Sequence, residues 1–323
     1  MIDLGTSFRL FLALLAGWAI CADAAVSVTR PFVGITVIAR SEVAPRSIRM
    51  NVALVDLTAP GISFKLTPPS GARDTVRQTT LDFLDGEKAQ LAVNVHFFVP
   101  YPSIEAEVDV VGLAVSQGRL YSPFEGQPVG PGQVDQSYAI IAHAPALNID
   151  SSNRVGVVRR DPAFPDNRHT LPGVSLWNAF AGSAQIVSNG SKTVPSYSGI
   201  AGGLNPSKGF SDTNSWYSVP RARTAVGVTA DRRTLVIFTV DQAAGSSGMT
   251  VGEVADLLIK DHKVADALNL DGGGSTTLVL QDPVTRRGRI VNASGDNPRG
   301  RAVGSSLAVF ADSLPATYKS DQP

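Results

Sequence analysis

Residues 269–276 read Asn269-Leu270-Asp271-Gly272-Gly273-Gly274-Ser275-Thr276, a carboxylate followed by three glycines and two hydroxyls. Consecutive glycines expose backbone N–H groups and let the chain approach a ligand closely. An acidic residue at the carboxyl end of a strand stands where ligands meet an open sheet. No Gly-Lys-Ser/Thr follows, so this is not a P-loop; a strand follows rather than a helix, so it is not a dinucleotide fingerprint. On spacing alone a flexible hairpin turn fits as well. A second cluster comes earlier, where Arg221 and Arg223 flank Ala222 just after Pro220. On a strand the two would point to one side, and paired guanidiniums suit an anionic group. A solvated edge strand is the plainer alternative.

Other chemistries lack their residues. His96, His143, His169 and His262 show no metal-ligand spacing. Asp150-Ser151-Ser152-Asn153 starts like a calcium loop but lacks the later glycine and glutamate. No G-x-S-x-G surrounds any serine, which disfavours serine hydrolase chemistry. The single cysteine, Cys21, lies in the N-terminal leader, so thiol nucleophiles, disulfides and cysteine metal ligands are not expected in the mature chain. No cofactor and no metal site is expected.

The elements that must position these residues read as mostly short strands. Alternating runs such as 33–37 and 51–55 are strand signals, closed by Pro60-Gly61 and Pro68-Pro69. Residues 74–85 read as a helix with Asp74 as N-cap and Gly86 as its stop. A buried strand at 90–95 runs into His96-Phe97-Phe98, and a strand pair is expected around 112–120. Residues 224–228 and 234–241 predict a hairpin turned by Asp231 and Arg232. Thr250 and Glu253 form a capping box that opens an amphipathic helix leading to the strand before Asp271. Strand, helix and strand of this length predict a right-handed crossover with one local parallel pair. The expected fold is α+β: mixed, largely antiparallel sheets, a few helices, and one βαβ crossover near the C-terminal half.

Composition agrees with a folded domain of neutral charge. The 323 residues carry 28 Lys plus Arg against 28 Asp plus Glu, with 43% hydrophobic and 17% charged residues. That excludes a disordered chain and leaves no basic excess for nucleic acid. Thirty glycines and 21 prolines point to many turns rather than a helical bundle. Residues 1–24 have a signal-peptide layout: Arg9, the apolar run 10–20, then Ala22-Asp23-Ala24. Cleavage would remove Arg9, Asp3 and Asp23, leaving 27 basic against 26 acidic groups. The expected organisation is a leader (1–24), N-terminal strands and a helix packed on the main domain (25–87), that main domain (88–313) and a tail (314–323). A secreted or periplasmic protein with no stable membrane span after cleavage follows from this layout.

Seven segments in order carry a resemblance. They are residues 94–98 (Asn94 to Phe98), 112–118, 180–183, 223–227 (Arg223 to Gly227), 248–250, 269–275 and 301–303. Over roughly residues 88–312 the chain resembles the phosphodiester glycosidase family, which cleaves a sugar from a phosphodiester. One departure is His96, in a slot where many members carry a small residue. The resemblance implies hydrolysis of a sugar-1-phosphodiester at the glycosyl C1–O bond, with a carbohydrate or sugar-phosphate as the partner. Its leaving group is a phosphate monoester, a weak base, so the site must chiefly stabilise charge and activate water. Arg223 and the Gly272, Gly273 and Gly274 amides suit the first task; Asp271 or Asp241 suits the second. Asn94, His96, Ser275, Thr276 and Arg301 complete the expected substrate contacts. Asp241 and Asp271 could equally be the carboxyl pair of a plain glycoside hydrolase. A non-catalytic exopolysaccharide-binding or assembly protein on the same fold is the third reading.

Overall fold

The computed structural model describes residues 25–127, 140–196, 212–213, 215–293 and 298–315. The leader lies outside the described residues. Three antiparallel sheets dominate. The largest has eight strands, of which the central ones are Ile48–Asp56, Thr234–Val240, Arg223–Thr229 and Val264–Asn269, in that spatial order. A five-stranded sheet contains Leu278–Gln281, Leu91–Asn94 and Ser306–Phe310 as neighbours. A six-stranded sheet includes Ala114–Ser116, Asn178–Ala181 and Ala146–Ile149. Two α-helices occur among the described residues, α1 (Thr80–Glu87) and α2 (Val251–His262).

The period of two along each strand explains how the sheets stack. In Ile48–Asp56 the residues Ile48, Met50 and Val52 face one way, and Ala53 and Val55 the other. The first set joins α2 residues Val251, Val254, Ala255 and Leu258 in one core. The second set joins Leu91, Val93, Leu278 and Leu307 of the five-stranded sheet and Leu147 and Phe180 of the six-stranded sheet. The remaining face of the five-stranded sheet, with Ala92, Val279 and Ala308, is covered by Phe83 and Leu84 of α1. All three sheets therefore close on one common core between two helical covers.

Several expectations are met locally. The 223–240 hairpin forms, and so does the strand pair Ala114–Ser116 with Arg119–Ser122. Thr250 Oγ1 accepts from Glu253 N at 3.1 Å and Glu253 Oε2 accepts from Thr250 N at 2.7 Å, completing the capping box. Other expectations fail. The first helix starts at Thr80, with Thr79 as its cap, because Thr75–Val76 and Gln78–Thr79 are claimed by strand pairing. Asp74 instead accepts from Val110 N at 3.1 Å. That helix ends at Lys88 in a left-handed conformation, not at Gly86.

The parallel pair is also absent among the described strands, all of whose pairings are antiparallel. Helix α2 does connect Thr234–Val240 to Val264–Asn269. The first of these already has both edges occupied, by Arg223–Thr229 and Ile48–Asp56. The returning strand therefore takes the outer edge of Arg223–Thr229 and runs antiparallel to it. The fold is richer in sheet than an even α+β mixture. Among the described residues no helix is long and apolar enough to cross a membrane.

Candidate active site

Strand Val264–Asn269 belongs to the eight-stranded sheet and Leu278–Gln281 to the five-stranded one, so residues 270–277 cross from one sheet to the other. The glycine run is thus a crossing, not a hairpin turn. It is fastened at several points. Asp271 N donates to Val95 O at 3.0 Å and Leu270 N to Thr224 O at 2.9 Å. Gly273 N donates to Ala222 O at 2.8 Å. A Cβ on Gly272 would stand 2.7 Å from that same Ala222 oxygen, so the close approach needs glycine there. Gly273 itself has φ +59°.

Asn94 ties the crossing to both sheets. It is fully buried at the end of its strand. Its Nδ2 donates to Asp271 O at 2.7 Å. Its Oδ1 accepts from Thr224 Oγ1 at 2.9 Å and from Thr277 N at 3.0 Å. Asn94 therefore holds the backbone that carries Asp271, rather than facing a ligand itself.

Above the crossing lies a cleft of about 250 Å³. Its floor is Asp271 with the backbone of Gly272, Gly273 and Gly274, flanked by Arg221 and Arg301. Arg301 donates to Ser275 Oγ at 3.1 Å and lies 4.7 Å over the Tyr101 ring. Phe97, Phe98, Val99, Tyr101, Val111, Ile140 and Trp216 form the walls. Of the expected site residues, Asp271, the three glycines and Arg301 thus meet in one place. Ser275 touches the cleft through Arg301.

Arg223, expected against an anion, does not line the cleft. Its side chain is fully buried. Nε donates to Met249 O at 3.1 Å, and Nη2 donates to Trp216 O and Val219 O, both at 2.6 Å. The guanidinium stacks on the Trp216 ring at 4.0 Å. Burial pushes it down to about 9, still above neutral pH, so the cation is held by carbonyls and an indole face. Arg221 is the exposed member of the pair, and it lines the cleft. It sits outside the strand, in an isolated bridge to Met249, so alternation from Arg223 does not reach it.

Asp241, His96 and Thr276 are buried below or beside the floor and do not line the cleft either. Asp241 accepts from Asn292 Nδ2 and Ala293 N, each at 3.0 Å, and burial raises its pKa. Its carboxylate secures Asn292 and Ala293, just after strand Gly288–Ile290. The His96 ring has Ser305 Oγ at 2.7 Å from Nδ1 and Leu113 O at 3.1 Å from Nε2. Burial pushes its pKa down to about 4, so it is a neutral core histidine.

A family model for phosphodiester glycosidases matches residues 88–310, most of the chain. The chain belongs to the phosphodiester glycosidase family. Relatives agree with this. A 68-residue stretch is 46% identical to N-acetylglucosamine-1-phosphodiester alpha-N-acetylglucosaminidase of Bos taurus, covering 21% of this chain and 12% of that one. The Homo sapiens enzyme of the same name is 43% identical over 68 residues, 21% of this chain and 13% of its own length. The matched stretch is therefore a small part of those relatives. Among solved structures, the catalytic domain of the zebrafish enzyme of that name, auto-inhibited by its pro-peptide, superposes with TM-score 0.58 at 19% identity. The match covers 88% of this chain and 87% of that one. A hypothetical protein from Synechocystis gives 0.56 at 16% identity, over 90% and 68% of the two chains. These likenesses concern the fold.

In this family member the cleft combines one carboxylate, two guanidiniums, glycine backbone and aromatic walls. Such a set can bind an anion, accept a proton and exclude water. The sequence pointed to the floor through the glycine run. It did not separate Arg221 from Arg223, and the wall residues come from segments without periodicity.

Proposed function

We propose that this protein is an exported hydrolase of sugar-1-phosphodiesters, breaking the C1–O bond and releasing a phosphate monoester. The observation that carries the reading is the convergence of Asp271, Arg221 and Arg301 on one glycine-floored cleft. Asp271 accepts a proton from the water that attacks the anomeric carbon. Arg221 and Arg301, with amides of the glycine run other than that of Gly273, hold the phosphate as it leaves with the bonding electrons. A phosphate monoester is a good leaving group, so no strong general acid is required. Two-carboxylate glycosidase chemistry finds less support, because Asp241 is buried among its own hydrogen-bond donors and does not line the cleft.

Hydrolysis in heavy-oxygen water tests which bond breaks. Over a short time course the label is expected at C1 of the released sugar and not in the phosphate. Label in the phosphate monoester would overturn the reading, making the site a phosphoryl-transfer centre. Export is tested separately: the mature protein recovered from the envelope or medium is expected to begin at Ala25.

A further inference from the structure

The cleft is unevenly furnished. Its charged and hydroxyl side chains among the described residues are Asp271, Arg221, Arg301 and the Tyr101 phenol, all near the glycine floor or against Arg301. The opposite wall is a continuous apolar cluster. Phe97, Val111 and Ile140 share one packed group, with Val99 and Trp216 against it. Phe97 and Trp216 meet edge to face at 5.7 Å. Among the described residues no amide, serine or threonine side chain lines this wall, whose one polar group is the Trp216 indole N–H.

That asymmetry limits what the phosphate can be attached to. A sugar brings several hydroxyls, and each one desolvated without a partner costs roughly 1–3 kcal/mol. One sugar ring and one phosphate are enough to occupy those four side chains. A second sugar on the far side of the phosphate would put its hydroxyls against Val99, Val111 and Ile140. A hydrocarbon group there loses nothing and gains from burial.

Resting on the proposed phosphodiester reading, we infer that the aglycone is apolar: the substrate is a sugar joined through phosphate to an alkyl or isoprenoid-like alcohol. The two guanidiniums take the phosphate and the apolar wall takes the first carbons beyond it. The reaction then releases an apolar phosphate monoester together with the free sugar.

The phosphate monoesters themselves are the probes, because they represent the leaving group and bind without turnover. Calorimetric titration of the full mature chain with methyl, butyl and hexyl phosphate and with a hexose 6-phosphate gives four affinities. Each buried methylene is expected to tighten binding roughly four-fold, the factor for complete burial, until the cleft is full. Butyl phosphate should then bind up to about 50-fold more tightly than methyl phosphate, and with a more negative heat capacity change. The variant Ile140→Ser should flatten the chain-length dependence. A second variant, Val99→Ser, serves if the first does not fold. Equal affinity for methyl and butyl phosphate, or a preference for hexose 6-phosphate, would overturn the apolar aglycone. Heavy-oxygen labelling of the sugar in that case leaves the phosphodiester reading standing. If no monoester binds and no sugar-1-phosphodiester is hydrolysed, both fall together.

Discussion

Exchanging Arg223 for lysine tests whether that guanidinium touches substrate or builds the site from behind. The arginine donates to three main-chain carbonyls, on Met249, Trp216 and Val219, and stacks on the Trp216 ring. A lysine ammonium can reach one of these carbonyls, so two lose their donor. Each orphaned buried acceptor costs roughly 1–3 kcal/mol. The Trp216 and Val219 carbonyls are only part-buried, which places the sum for Arg223→Lys near about 3 kcal/mol. In a chain of this size that lowers the melting temperature by roughly 6 °C. Activity falls as well, because Trp216 and Arg221 line the cleft and hang from the segment that Arg223 fastens. The companion variant is Arg221→Ala. It should melt as the wild type does yet lose roughly 10²- to 10³-fold in rate, the scale of one transition-state contact. Calorimetry and kcat/KM on a sugar-1-phosphodiester, measured for both variants, give the comparison. The reasoning is refuted if Arg223→Lys keeps wild-type stability but loses activity while Arg221→Ala keeps its rate. Arg223 would then be the phosphate contact.

Two further outcomes are expected. Asp271→Asn should lower kcat by roughly 10²-fold or more, the scale of a lost general base, while Asp241→Asn lowers it less than about ten-fold; single-turnover rates of both variants check this. For His96 the folded-state value of about 4 lies below its ordinary 6.5, so the unfolded chain binds more protons between those pH values and stability drops as pH falls through that window. The loss approaches roughly 3 kcal/mol below pH 4. Urea titrations at pH 7 and 4.5 should therefore show the gap between wild type and His96→Gln shrinking at the lower pH, and an unchanged gap counts against a buried neutral imidazole.

Local signals in this chain were legible where one segment decides its own structure. The capping box at Thr250 and Glu253 opens α2, and the turn at Asp231-Arg232 closes the hairpin. The glycine run marked a close backbone approach, which Gly272 makes to Ala222. What stayed hidden depends on partners distant in sequence. Asp74 looks like a helix cap until Thr75–Val76 pairs with Glu107–Val110. Two arginines spaced by one residue imply one shared side only while the pleat is continuous, and the strand begins at Arg223. His96 next to a strand end resembles a ligand-binding residue until Ser305 and Leu113 enclose it. The parallel strand pair failed for the same kind of reason, since edge availability is a property of the whole sheet.

The passage of residues 270–277 between two sheets has a consequence for how the protein breathes. A loop that returns to its own sheet can open alone, and its amides then exchange with solvent far faster than the core. Here the amides of Leu270, Asp271 and Gly273 donate to Thr224, Val95 and Ala222, carbonyls on either side of the seam. Freeing the Asp271 amide means parting the crossing from the five-stranded sheet. The Asp271 amide is therefore expected among the slowly exchanging ones, and hydrogen exchange would read how firmly the backbone beneath the carboxylate is held.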